Sequence, residues 1–206
     1  MYTPPAFRED DSDELHRLIR EARLSTLVTA TPAGIMATPL PLILDETEGE
    51  HGVLYGHLVK ANQQRSAPML GEAMVIFNGP DAYVTPSWYQ SKREHGKVVP
   101  TWNYVAVHVY GEAEFFEDEA RLHDVVSRLT RLYETPRADP WAIGDAPEPF
   151  IKGQLKGIVG LRLTISRIEG KVKMSQNRSE ADRQGVAEGL AVSASSDDQA
   201  AARLIR

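Results

Sequence analysis

The stretch from Val98 to Phe116 constrains the fold most, because its side chains alternate in character over most of its length. One face carries Asn103, Val105, Val107, Val109, Gly111, Ala113 and Phe115. The other carries Tyr104, Ala106, His108, Tyr110, Glu112, Glu114 and Phe116. Successive side chains of an extended chain point to opposite faces, so the pattern predicts one long strand with an apolar face and a mixed face. Ahead of it, residues 86–97 form a polar loop rich in aromatic and cationic groups, and Trp88 and Trp102 flank that loop. Two readings stand: a ligand site fed by the loop, or a core strand whose loop is charged because loops are wet.

The rest of the chain reads as further strands with few helices between them. A helix is expected over Asp10–Ala22, with Asp11 as N-cap and Glu14 three residues on. Strands follow at Leu24–Ala30 and Ile35–Leu44. Pro39 and Pro41 lie two apart in the second, which suits an edge or a barrel rim. Val53–Leu58 is a third strand, Asn62–Leu70 a short helix, and Ala73–Asn78 a fourth strand. A turn is expected at Gly79–Ala82, then a short strand at Tyr83–Thr85. Glu119–Tyr133 carries a continuous apolar stripe at helical spacing. Phe150–Lys156 is a short helix, and Gly157–Ile168 alternates strongly. Ser179 and Asp182 start a helix that runs to about Leu190, and the small, polar tail that follows is expected to fray. About six or seven strands with peripheral helices predict a mainly β fold, an antiparallel barrel that is closed or nearly so. The expected division is a single barrel domain over 1–190 and a flexible tail over 191–206.

Composition narrows the function. There is no cysteine among the 206 residues, which removes disulfides, thiolate metal sites and thiol catalysis. The net charge of −6 lacks the basic footprint of most nucleic-acid binders. No run approaches the roughly 18 apolar residues of a membrane span. The start Met1-Tyr2-Thr3-Pro4-Pro5 lacks a signal-peptide pattern, so the expected location is the cytoplasm.

Two stretches carry chemistry. Gly56–Arg65 ends a strand and begins a helix amid His57, Lys60, Asn62 and Arg65, which suits a phosphate and equally suits a solvated helix start. Lys171 and Lys173 would share one strand face, with Gln176, Asn177 and Arg178 beyond them to meet an anion or a heterocycle edge; the other reading is a hydrophilic turn. No two histidines have HxxxH or HExxH spacing, so no metal site is expected. His57 and His95 are candidates for a lone haem ligand, against the plainer reading of hydrogen-bonded surface imidazoles. Ala187–Ser193 imitates the turn of a helix-turn-helix, but Asp197 and Asp198 would then face phosphate. No catalytic residue is assigned.

Several long stretches carry a resemblance: GPDAYVTPSWY (79–89), HGKVVPTWNY (95–104) and KMSQNRSEADR (173–183). With Gly56-His57 and Ala61-Asn62, they make the chain resemble the PaiB family of FMN-binding negative transcriptional regulators through about Leu190. The resemblance implies an FMN-binding split β-barrel, related to pyridoxamine 5′-phosphate oxidase, and a homodimer with flavin at the subunit interface. It implies that His57, Lys60 and Asn62 grip the FMN phosphate. Trp102, Asn103, Tyr104, Lys173, Gln176, Asn177 and Arg178 would line the rest of the pocket. It also implies transcriptional repression, through DNA directly or through another protein. The alternative is a flavin- or haem-dependent oxidoreductase on the same scaffold, with FMN the first cofactor and haem the second.

Overall fold

The computed structural model describes residues 1–205. In chain order the elements are β1 (Arg8–Glu9), α1 (Ser12–Glu21), β2 (Ser25–Thr31), β3 (Gly34–Leu40), β4 (Ile43–Asp45), β5 (Val53–Val59) and β6 (Ala73–Val84). Then follow α2 (Gln90–Glu94), β7 (Thr101–Phe116), α3 (Glu119–Glu134), α4 (Glu148–Leu155), β8 (Ile158–Lys173), α5 (Glu180–Ala191) and α6 (Ser196–Leu204). The eight strands order as β3-β2-β6-β7-β8-β5-β4, with β1 on β8. The β1–β8, β2–β3, β2–β6, β4–β5 and β5–β8 pairs are antiparallel. The protein is mainly β with helices, as its patterning predicts. No helix among the described residues is long and apolar enough to cross a membrane.

The chain packs into two compact units. The first unit comprises Met1–Leu18, Asn78–Val107 and the chain from Glu169 on; the second unit comprises Ile19–Phe77 and His108–Ile168. The residues expected to form one barrel domain, 1–190, are distributed over both.

Local chemistry explains most element boundaries. Asp11 Oδ1 accepts from the Glu14 N–H at 2.9 Å and starts α1. The Asp11 N–H, which a capping box would give to Glu14, donates to Glu9 Oε1 at 2.9 Å, and the Glu14 carboxylate takes Arg17 at 2.6 and 2.7 Å. Pro39 lies in β3, which ends the strand order, so its missing N–H costs no ladder bond on a central strand. The expected return strand breaks at Pro41 into β3 and β4. In β7 the alternation holds from Asn103 to Ala113 except at Ala106, a small mixed-face residue that is also buried, and then shifts phase: Phe116, not Phe115, is buried. Phe116 joins Leu122, Val125, Leu129 and Leu155 in the core of the second unit, so α3 and α4 set the phase there.

Three expectations are corrected. The helix over Asn62–Leu70 is only a 3-10 turn, Gln63–Arg65. Pro68 disfavours helix at Ala67, and the Leu70 N–H goes to the Ala30 carbonyl at 2.8 Å. The turn at Gly79–Ala82 is absent, and β6 runs through it. A Cβ on Gly79 would lie 2.8 Å from the Val105 Cβ, so glycine serves close approach within the first unit. Pro80 lies beyond the β2 register, which stops at Phe77, and so interrupts no bond to that strand. In place of a frayed tail, Ser196–Leu204 is helical, capped by Ser195 and carrying the buried Ala201 against α5. The Ala200-Ala201-Ala202 run favours helix, a preference outweighed in the sequence reading by the polar composition. Arg206 of that segment lies outside the described residues.

Candidate functional site

In the second unit, β5 delivers His57 and then Lys60 and Asn62. Asn62 Oδ1 accepts from the Gln64 N–H at 2.9 Å, and its Nδ2 donates to Thr38 Oγ1 at 2.9 Å. Thr38 in turn donates to Gln64 Oε1 at 2.6 Å, and the fully buried Gln64 donates to Thr29 Oγ1 at 3.0 Å. Asn62 is therefore an anchored N-cap whose side chain is already engaged on both sides. Lys60 Nζ and Arg65 Nη1 share one carboxylate, Glu117, at 2.5 and 3.1 Å. The hydrogen bond from Lys60 holds the Glu117 carboxyl below the usual carboxylate range. Two cations against one carboxylate leave a positive balance, which fits a phosphate in charge.

His57 is half-buried, and its Nδ1 is buried without a hydrogen-bond partner. Burial pushes its pKa down. The folded state therefore holds the neutral ring, while the unfolded chain protonates near the ordinary imidazole value of about 6.5. Between those two values the unfolded chain binds more protons, so the contribution to stability is complete above about 6.5 and is lost as the pH falls through the lower, folded value. We expect His57→Gln to flatten the fall in the urea midpoint between about pH 7 and 5 relative to the parent. An equal slope in both proteins would place the titration elsewhere.

The first unit gathers the other group. Lys173 Nζ donates to Thr101 Oγ1 and to the Trp102 carbonyl, each at 2.7 Å, and lies 5.8 Å from the Tyr104 ring centre. Lys171 Nζ lies 5.1 Å from the same ring. Both lysines belong to β8, whereas Gln176, Asn177 and Arg178 lie in the polar turn that follows it. Burial, with Lys171 and Arg178 nearby, pushes the Lys173 ammonium below its ordinary value, against a smaller opposite pull from Tyr104. Trp102 is exposed, edge-on to Tyr83 at 5.8 Å.

Asn103 is fully buried. Its Oδ1 accepts from Ser175 Oγ at 3.1 Å, and its Nδ2 has no partner. Ser175 sits at φ 64°, the only non-glycine residue with positive φ among the described residues. Gln176 closes this turn: its Oε1 accepts from the Met174 N–H at 2.7 Å and its Nε2 donates to the Val172 carbonyl at 2.6 Å. Asn177 is exposed. Arg178 stacks on the buried Tyr89, 4.7 Å from its ring centre. Trp102, Asn103, Tyr104 and Lys173 are thus neighbours, while Gln176 is spent on the backbone.

Three features escaped the sequence reading. Glu117 is far from Lys60 in the chain, and no spacing rule links them. Tyr89 and Ser175 stood inside quoted motifs without a role. A groove of about 1140 Å³ between α3 and residues 140–155 is built from separate segments, none with a local signature. The segment that imitates a helix-turn-helix turn does lie between two helices, α5 and α6, but the first turn of α6 carries Asp197 and Asp198, which repel phosphate. No cluster of three or more metal-ligating side chains occurs among the described residues.

Residues 1–167 match the family described as "Putative FMN-binding domain". The chain is also 35% identical over 191 residues to the protease synthase and sporulation protein PAI 2 of Bacillus subtilis, across 92% of this chain and 89% of that one. This chain belongs to the PaiB family. The family description agrees with FMN as the expected cofactor. Among solved structures, the flavocytochrome Anf3 of Azotobacter vinelandii aligns with a TM-score of 0.58 at 15% identity, over 86% of this chain and 75% of that one. An FAD and heme binding protein of Mycobacterium smegmatis aligns with a TM-score of 0.55 at 16% identity, over 88% of this chain and 80% of that one. At such identities the likeness is one of fold, and the fold of this PaiB-family chain is the FMN-binding split β-barrel.

Proposed function

We propose that this chain is an FMN-binding regulator: a cytoplasmic homodimer that represses transcription, on DNA directly or through a protein partner. The observation that carries the reading is the family match across residues 1–167, joined to a cationic group that suits a phosphate. His57, Lys60 and Asn62 are assigned to the phosphate. Asn62 positions the loop, Lys60 supplies charge, and His57 offers a buried ring nitrogen. In the first unit, Trp102, Asn103, Tyr104, Lys173, Gln176, Asn177 and Arg178 are assigned to the flavin on family resemblance, with Gln176 acting by holding the turn.

Because Glu117 competes for Lys60 and Arg65, Glu117→Gln should tighten FMN binding and Lys60→Met should weaken it, each by about three- to tenfold. Equilibrium titration of both variants tests the assignment; unchanged affinity in both would remove the phosphate from this loop. For the first unit, Trp102→Ala should change the quenching of bound flavin fluorescence. The regulatory role is tested by retardation of the chain's own promoter DNA. Direct action requires specific complexes that weaken with salt. No retardation at low salt sinks direct DNA binding.

A second reading, a flavin- or haem-dependent oxidoreductase, is favoured by one observation. Burial keeps His57 neutral, the form in which imidazole ligates iron. Two structures of this fold are named as a flavocytochrome and as an FAD and heme binding protein. A bound cofactor would supply the electron transfer. A Soret band lost in His57→Gln, or NAD(P)H-dependent bleaching of bound flavin, would support this reading.

A further inference from the structure

The groove beside α3 shares no residue with the flavin assignments and lies wholly in the second unit. At about 1140 Å³ it slightly exceeds the roughly 300–1,000 Å³ of pockets that hold small ligands, so such a ligand would fill most of it and leave one end open. One wall is a stripe of α3 that includes His123, Ser127, Thr130 and Arg131. This stripe is polar and differs from the Leu122, Val125 and Leu129 stripe that enters the core. The facing wall, with Trp141, Ala142 and Ile143, is apolar. Trp141 leaves 45% of its surface exposed there. A large ring on a concave apolar wall is a surface that an aromatic ligand would cover.

Charge decides what kind of ligand. Lys152 is paired with Glu148 at 2.6 Å. Glu134 is held twice, by Arg137 at 3.2 Å and by the Trp141 backbone N–H at 3.0 Å. Ser127 Oγ bonds back to the His123 carbonyl at 2.7 Å, so its proton is spent. Arg131 lines the same groove and has no carboxylate partner among the described residues. It lies one helical turn before Glu134, and Glu134 fixes Trp141, so the guanidinium and the indole belong to one end of the groove.

We propose that this groove binds a small planar aromatic carboxylate, its ring against Trp141 and its carboxylate on Arg131. A guanidinium offers a carboxylate two parallel N–H donors, and an indole offers a face for stacking. The glutamates that also line the groove disfavour a dianion, so a single carboxylate fits better than a phosphate.

Titration calorimetry on the full chain, with and without excess FMN, tests this using 2-naphthoate, 2-naphthamide and 2-naphthylmethylamine as probes. The expected result is saturable binding of the carboxylate, unaffected by FMN. Arg131→Gln should weaken the carboxylate about tenfold while leaving the amide unchanged. Trp141→Ala should weaken both. Both positions are exposed, and an unchanged thermal midpoint confirms that the variants fold. No saturation by the carboxylate at millimolar concentration overturns the proposal. So does preference for the amine, displacement by FMN, or equal carboxylate affinity in Arg131→Gln or in Trp141→Ala.

Discussion

Gly111→Ala should cost the protein more than about 3 kcal/mol of stability. Gly111 lies in the middle of β7, and a Cβ there would sit 2.0 Å from the Thr164 carbonyl oxygen and 2.9 Å from its carbon. That obstacle is backbone of the neighbouring β8, so no side-chain rotation relieves it. The strands must separate locally, and ladder bonds are lost with the packing of Val109 and Leu163, both fully buried. Gly153 is the matching control. It lies inside α4 with nothing within 4 Å of where a methyl would stand, so Gly153→Ala should stabilise by about 0.5–1 kcal/mol. Urea unfolding of both variants measures the contrast. A Gly111→Ala midpoint close to that of the parent would mean that the close approach of β7 and β8 is wrong.

The second large effect is at Gln64. Its buried amide joins Thr29, Thr38 and, through Thr38, Asn62. Gln64→Met keeps the length and removes the amide, leaving the buried Thr29 hydroxyl without its donor and Thr38 without its acceptor. Leaving such groups unpaired costs about 2–4 kcal/mol, more than the net worth of the bonds themselves. Thr29→Val on top of Gln64→Met should then cost less than Thr29→Val alone, because the partner is already gone. The same variant should also weaken FMN, since the network anchors the cap that positions Lys60. A folded, fully stable Gln64→Met would show that water substitutes for the amide.

The long strands were legible because period-two alternation is a direct consequence of burying one face. Val105, Val107 and Val109 on β7 and Val159, Leu161 and Leu163 on β8 are all buried as their spacing predicts. The misread places have physical causes. Gly79-Pro80 has the chemistry of a turn, and only the closeness of Val105 across the sheet shows that the glycine serves packing instead. Asn62–Leu70 begins as a capped helix would, but only a 3-10 turn forms, Gln63–Arg65, and Pro68 disfavours continuing the helix through Ala67. At the candidate site, residue types were readable and their commitments were not. Lys60 looked like a free cation, yet Glu117 holds it; Gln176 looked like a ligand donor, yet it closes its own turn. These are long-range or geometric facts that no local pattern encodes. The groove at Trp141 is the extreme case, since its walls come from segments that carry no shared motif.

Flavin binding is best probed by a paired titration of the purified full chain with FMN and with riboflavin, followed by flavin fluorescence. The two ligands share the ring system and differ by the phosphate. Saturable FMN binding is expected, with riboflavin weaker by at least about tenfold and most of that difference lost in Lys60→Met. Equal affinity for the two flavins, or no saturable binding of FMN, would contradict the assignment of a phosphate to His57, Lys60 and Asn62.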